Sequence, residues 1–358
     1  MLVATRLTSV GEVVAVTTKE QLVSGQELGQ RLAQQELWRR NYLVDLGSLR
    51  RLDAVRRVCG RAMHVDPALR TVTVALADGT TSSEPYDALV IATGVGNGFW
   101  RDDVVRDTAG VDAALEAEQG RVEAARCIAV VGGGASGVSA AVNLAKAHPE
   151  KRLHLFFSGD EPLPAHHPRV RSRIRREILR AGVAIHPGHR AVLPQAFEEG
   201  LGVGPVQWTT GQPPFDPDLV LWTVGHIRPH SGFLPADMLT EHKFVRVDEQ
   251  MQVPGHANVF AVGDVAATDP LRSSARNDGH VVVAHNVRAR LAERRKGLRR
   301  FRCAKWRWGS VLGLQGDGIL IFAPNGWAFR LARVLVQPLL FSFFVEWMLY
   351  GGVRGQAH

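Results

Sequence analysis

Val131-Gly132-Gly133-Gly134-Ala135-Ser136-Gly137 follows the buried run Cys127–Val131 and opens a helix expected from about Ser136 to Ala147, with a further strand at Arg152–Phe157. Glycines at 132, 134 and 137 give GxGxxG spacing in a strand–turn–helix–strand setting, which turns a weak motif into a dinucleotide fingerprint. Gly132 permits the tight turn, Gly134 lets a pyrophosphate approach the backbone, and Gly137 lets the helix pack closely on the strand. The phosphates would sit at the helix N-terminus beside Ser136, where unpaired N–H groups and the helix dipole favour anions. A plain glycine-rich turn is the competing reading.

The next strand should end in Asp or Glu if the adenine ribose of NAD were strictly preferred. It ends instead in Phe156-Phe157-Ser158-Gly159, with Asp160 late. Ser158 therefore stands at the ribose position. Arg169 and Arg171, downstream, are candidates for a 2′-phosphate, or simply belong to a solvated helix face. The choice between NADH and NADPH stays open.

The 358 residues correspond to two domains, with or without an appendage, and 45% hydrophobic content supports a large core. Cys59, Cys127 and Cys303 form no CxxC pair, so neither a disulfide scaffold nor a thiol redox couple is expected, and a reducing compartment is the default. Neither a secretory signal nor a long uncharged apolar span appears, which points to a cytoplasmic protein. Metal-ligand spacing is lacking, as is a GxSxG elbow. The net charge of +8 is local: Arg288–Arg307 holds ten Lys/Arg and one acid, leaving 33 basic and 34 acidic residues elsewhere. A solvated helix end and attraction to anionic lipid both account for it; nucleic acid lacks a reading motif. The aromatic tail Leu331–Tyr350, interrupted by Arg333, Pro338 and Glu346, suits an interfacial helix or a cover over the fold.

Elsewhere, Gln26–Arg40 and Val111–Arg126 read as helices, and Tyr42–Leu52 as irregular. Strands are expected at Val13–Thr18, Val55–His64 and Thr71–Ala77, with a hairpin turn at Asp78-Gly79. Buried strands alternating with helices imply an α/β fold with two parallel sheets.

Two more motifs, Tyr86-Asp-Ala-Leu-Val-Ile-Ala-Thr-Gly94 and Ala257-Asn-Val-Phe-Ala-Val-Gly-Asp264, flank the fingerprint, and Leu219-Val-Leu-Trp-Thr-Val-Gly225 repeats the first. In this order the set resembles the two-dinucleotide-binding-domain flavoproteins, which include type II NAD(P)H:quinone dehydrogenases and apoptosis-inducing-factor-like oxidoreductases. The resemblance implies two Rossmann-like domains, with the NAD(P) domain inserted in the FAD domain. It divides the chain into 1–110 and 236–300 (FAD), 111–235 (NAD(P)) and a C-terminal extension, 301–358, with possible peripheral contact on the inner face of a membrane. It implies FAD and NAD(P)H as cofactors, hydride transfer to flavin N5, and a small-molecule, possibly quinone, electron acceptor. By resemblance, Thr17 and Thr18 approach the adenosine ribose of FAD, Thr93 and Gly94 lie along it, and Gly263 and Asp264 hold its ribityl chain. Gly225 flanks the nucleotide, and Asn277 and His280 are flavin-proximal candidates, with a polar helix-start cap as the alternative.

Two departures stand out. Where the family commonly carries Glu two residues after the last fingerprint glycine, this chain has Ser139. Moreover, no second glycine turn precedes Val13, so the resemblance implies an N-terminal truncation, weak FAD binding by this chain, and recovery on extending it upstream. A flavin-deficient nucleotide-binding protein with the same fold is the alternative function.

Overall fold

Two strand-forming runs far apart in sequence, Leu89–Ile91 and Val259–Ala261, pair with each other, and a second sheet lies between them in sequence. The computed structural model describes residues 1–23, 28–96, 104–194, 200–224, 227–269, 274, 278–294, 296–303, 306 and 308–354.

A short helix, Ala4–Leu7 (α1), leads into Val13–Thr17 (β1). The single helix expected over Gln26–Arg40 is instead two, Leu28–Ala33 (α2) and Gln35–Tyr42 (α3), because Gln34 takes an extended φ of −143°. The stretch 42–52 is more ordered than its irregular sequence suggests: Leu43–Asp45 pairs antiparallel with Gln21–Val23, a non-local pairing that no short-range pattern announces. Val55–Asp66 (β2) pairs parallel with β1 from Val13↔Val55 to Thr17↔Cys59, then bends to pair antiparallel with Thr71–Leu76 (β3). Thr81–Pro85 (β4) closes the hairpin on β3. Its turn needs glycine: Gly79 has φ +83°, while Asp78 accepts the Thr80 N–H at 2.9 Å. Leu89–Ile91 (β5) ends the segment.

After helix Thr108–Ala124 (α4) comes Cys127–Val131 (β6), buried at all five positions, as a strand covered on both faces must be. Ala135–Ala147 (α5), Arg152–Phe156 (β7), Pro168–Arg180 (α6), Ala184–His186 (β8), Gly200–Gly202 (β9) and Leu219–Trp222 (β10) follow. The sheet order is β8-β7-β6-β10-β9, parallel except for β9. Asp218 accepts the Arg126 and Cys127 N–H groups at 2.9 and 2.8 Å, tying the start of β10 to that of β6.

Val259–Ala261 (β11) then returns to pair parallel with β5, from Leu89↔Val259 to Ala261↔Ile91. The insertion that the resemblance implies is thus present. Helix Gly279–Leu291 (α7) carries the first basic residues of the charged segment. Several of these are used internally: Arg290 donates to Gln252 at 2.7 Å, and Arg300 pairs with Glu249 at 3.1 Å.

Residues after 301 are not a detached extension. Leu314–Gln315 (β12), Gly318–Phe322 (β13) and Ala328–Leu331 (β14) form a small antiparallel sheet, and Val311, Leu312, Leu320 and Phe322 share one buried cluster with α5. Buried Gln315 donates to Asn143 of α5 at 3.0 Å, and Asn143 donates to the Leu312 carbonyl at 3.0 Å. A final helix of π geometry, Val336–Leu349, buries Val336 and Phe341. Among the described residues no helix is long and apolar enough to cross a membrane.

Candidate functional site

The three fingerprint glycines are distinguished by what a Cβ would strike. At Gly132 (φ +133°) it would lie 2.3 Å from Thr223 Oγ1, and at Gly137 2.0 Å from the Gly132 carbonyl oxygen. At Gly134, the N-cap of α5, nothing lies within 4 Å. Gly132 and Gly137 therefore close the turn onto β6 and β10, while Gly134 leaves space over the N-terminus of α5. Ser136 is exposed in that first turn. The geometry fits a pyrophosphate held on backbone N–H groups.

Ser139, in place of the family's glutamate, has a physical reason. Gly29 of α2 crosses α5 so closely that a Cβ there would be 2.3 Å from the Ser139 carbonyl oxygen. Ser139 is 3% exposed. The helix crossing occupies the space that a glutamate side chain at 139 would need.

Five of the remaining candidates gather in a separate cleft of about 2280 Å³, whose lining does not include Gly94, Asp264 or Ser158. Thr17 and Thr18 after β1, Thr93 after β5, Gly263 after β11 and His280 on α7 all line it. Thr93 donates to the His230 carbonyl at 2.5 Å, and His230 N–H donates to Gly94 O at 3.1 Å, so the β5 turn is held by the segment after β10. Gly94 and Gly263 take φ of +73° and +88°. Ser274 Oγ accepts the Gly263 N–H at 2.9 Å, and Asp264 follows, half-buried. Among the described residues, β1 is hydrogen-bonded within its sheet only to β2, and β5 only to β11, so each has an edge that no other described strand pairs with. Among the described residues, three buried polar atoms on residues lining the cleft, Gln21 Oε1, Tyr86 Oη and His280 Nδ1, have no hydrogen-bond partner. Burial, then Arg6, holds the His280 imidazole below its usual pKa. Such orphaned groups fit a polar occupant. Gly225 and Asn277 lie outside the described residues.

Sequence reasoning missed two residues. Lys19 is 7% exposed and lines the cleft, with Nζ 3.4 Å from the Val104 carbonyl; its position just past a β-strand was the available signal. Thr223 donates to the Val131 carbonyl at 2.9 Å and sets the close wall at Gly132; it lay in the quoted Leu219–Gly225 stretch. Among the described residues no His, Cys, Asp and Glu group could hold a metal. His167 is a cap, its Nδ1 accepting the Arg169 N–H at 3.1 Å.

Ser158 is exposed just beyond β7. Beneath it His154 Nδ1 and His186 Nε2 lie 3.0 Å apart, and Phe156 stacks on His186 with ring centroids 4.3 Å apart. One ring must donate and the other accept. Burial holds both imidazoles below their usual pKa, with Arg152 adding for His154 and the neighbouring histidines His154 and His189 for His186. A histidine with a lowered folded pKa contributes stability that is present above its unfolded pKa and is lost as pH falls through the folded value. The melting temperature should therefore drop from about pH 7.5 to about pH 5.5. His186→Phe should flatten that drop; an unchanged slope in a thermal-shift series would refute the assignment.

A family model for the pyridine nucleotide-disulphide oxidoreductases matches residues 3–288. Oxidoreductase ptaL of Pestalotiopsis fici is 29% identical over 221 residues, covering 61% of this chain and 58% of its own length. The type II NADH:quinone oxidoreductase Ndh of Mycobacterium tuberculosis is 26% identical over 283 residues, covering 68% of this chain and 60% of that protein. Among solved structures, the sulfide:quinone oxidoreductase of Aquifex aeolicus matches with a TM-score of 0.65 at 15% identity, over 92% of this chain and 82% of that one. That likeness is one of fold. The chain spans less than two thirds of the length of either curated relative.

Proposed function

We propose, for a chain that belongs to the pyridine nucleotide-disulphide oxidoreductase family, an FAD-dependent oxidoreductase that draws on NADH or NADPH and reduces a quinone-like acceptor. The observation that carries this reading is the open turn at Gly134 together with a separate cleft where Thr17, Thr18, Thr93, Gly263 and His280 converge. FAD, when bound, supplies the acceptor for hydride from the nicotinamide. The chain supplies alignment and exclusion of water. Thr17 and Thr18 meet the adenosine end, buried Lys19 offers positive charge to the pyrophosphate, and Asp264 accepts a ribityl hydroxyl. Gly132, Gly134, Ser136 and Gly137 hold the nicotinamide nucleotide. The quinone-like acceptor is supported by the relative named for that activity.

Among the described residues around the cleft, no GxGxxG turn stands on the FAD side. A strand bearing one, seated against the unpaired edges of β1 and β5, would complete the pyrophosphate cradle. The test compares visible flavin absorbance, and its anaerobic bleaching by NADH and NADPH, in this chain and in an upstream-extended form. A flavin band that both nucleotides bleach is expected in the extended form. Its absence there would favour the flavin-deficient, nucleotide-binding alternative.

Ser158 leaves the ribose side without a carboxylate, so either nucleotide is admitted. Ser158→Asp should weaken NADPH relative to NADH by about tenfold or more, read from the ratio of dissociation constants. An unchanged ratio would remove Ser158 from the ribose site.

Peripheral membrane contact is a further part of this reading. Leu339, Phe343 and Trp347 are 51, 55 and 61% exposed at four-residue intervals on the last helix. Such an apolar face is what an interfacial helix presents. Flotation with anionic liposomes should fall when all three are replaced by serine; equal flotation rejects the contact.

A further inference from the structure

A second pocket, of about 360 Å³, lies between α6 and the β13–β14 hairpin, and Ser158 does not line it. Its walls carry Arg169, Arg173 and Arg176 from α6, and Trp327, Phe329 and Arg330 from the hairpin. The hairpin turn is fitted to the helix. Gly326 has φ +77°, and a Cβ there would lie 2.4 Å from His167 Nδ1 and 2.9 Å from Arg169 Cβ. The pocket is therefore a fixed junction rather than a gap between loose elements.

Four guanidinium groups meet there with no carboxylate among the lining residues. Arg330 pairs with Asp317. Arg173 stands 3.7 Å from Glu177, which is closer, at 3.2 Å, to Arg180. The buried Nε of Arg173 makes no hydrogen bond. Arg169 and Arg176 have no carboxylate partner among the described residues. The first turn of α6 adds the positive end of its dipole. Like charges this close repel one another, and a multiply charged anion relieves that repulsion. Guanidinium forks match phosphate oxygens bidentately. Trp327, 58% exposed, stands 5.6 Å from Phe329 by ring centroids, giving the mouth an aromatic rim.

We propose that this junction binds a phosphate monoester whose apolar or aromatic body rests on Trp327 and Phe329. The same chemistry is offered by a soluble phosphate ester and by a phosphatidic acid headgroup. None of its residues lines the flavin cleft, and Arg169 is the one residue it shares with the 2′-phosphate candidates of the nucleotide site, so the test substitutions fall on Arg176 and Arg330.

The full chain is titrated with inorganic phosphate and glycerol 3-phosphate, following Trp fluorescence and heat. It is also sedimented with phosphatidylcholine vesicles with and without phosphatidic acid. Arg176→Gln/Arg330→Gln should weaken whichever interaction the wild type shows by at least about tenfold, and Arg176→Lys/Arg330→Lys by less, since charge survives but the bidentate fork does not. Arginine-dependent binding of the soluble ligands identifies a soluble ester. Binding confined to phosphatidic acid vesicles, and dependent on the same arginines, identifies the headgroup. No binding in any arm, or equal binding by wild type and the glutamine double variant, overturns the proposal. Unchanged thermal melting of the variants excludes misfolding as the cause of a loss.

Discussion

Gly134→Val should abolish NADH and NADPH binding while leaving the fold standing. The backbone at 134 has φ −76°, which any L residue adopts, and nothing lies within 4 Å of the added Cβ. The fold therefore has no steric objection. The cost to stability is that of a poor N-cap, at most about 1 kcal/mol, or a few degrees in melting temperature. The branched side chain would, however, fill the space over the first turn of α5, where the proposed nucleotide site seats the pyrophosphate on backbone N–H groups. A loss of about a hundredfold in affinity, some 3 kcal/mol, is expected from fluorescence titration of the reduced nucleotides. Gly137→Val provides the contrast. Its Cβ would lie 2.0 Å from the Gly132 carbonyl oxygen, so stability and binding should fail together. Wild-type nucleotide affinity in Gly134→Val would remove the dinucleotide site from this turn.

Gly29→Val should destabilise the protein by about 3 kcal/mol or more, at the upper end for overpacking. The added carbon would meet the Ser139 carbonyl oxygen at 2.3 Å and the carbonyl carbon at 2.4 Å. Both belong to the backbone of a buried helix, so no rotamer change relieves the clash. α2 must then lift from α5, opening the cluster that Leu28 and Leu32 share with Ala140, Ala141 and Leu144. Ser139→Glu attacks the same seam from the other side by placing a carboxylate in a buried position. Both variants should unfold at a lower urea concentration than wild type. A wild-type midpoint for Gly29→Val would show that the two helices do not pack so closely.

The glycine turn was legible because its determinants are local: Gly132, Gly134 and Gly137 lie within six residues, and the strand before and the helix after have their own periodicities. The strands ending in Thr93-Gly94 and Gly263-Asp264 were legible for the same reason, and the family resemblance they carry implied the inserted topology that the β5–β11 pairing displays. The break at Gln34 was not legible. α2 must rest on Ser139 while α3 buries Trp38 against Val111 and Leu115, and both constraints come from distant sequence. Lys19 was passed over because an isolated lysine after a strand looks like any surface lysine until the fold buries it.

By itself, then, the sequence determined the α/β class, the glycine turn before α5 and the strands that frame the cleft, since backbone sterics and hydrophobic period act over a few residues. The tertiary structure alone decided that Thr223 is the wall against which Gly132 and Gly137 are closed, and that residues 311–322 belong to the core around α5. It also decided that an arginine-rich helix meets an aromatic hairpin. Each of these depends on contacts such as Gln315 to Asn143, 172 residues apart, which form only when the whole chain packs.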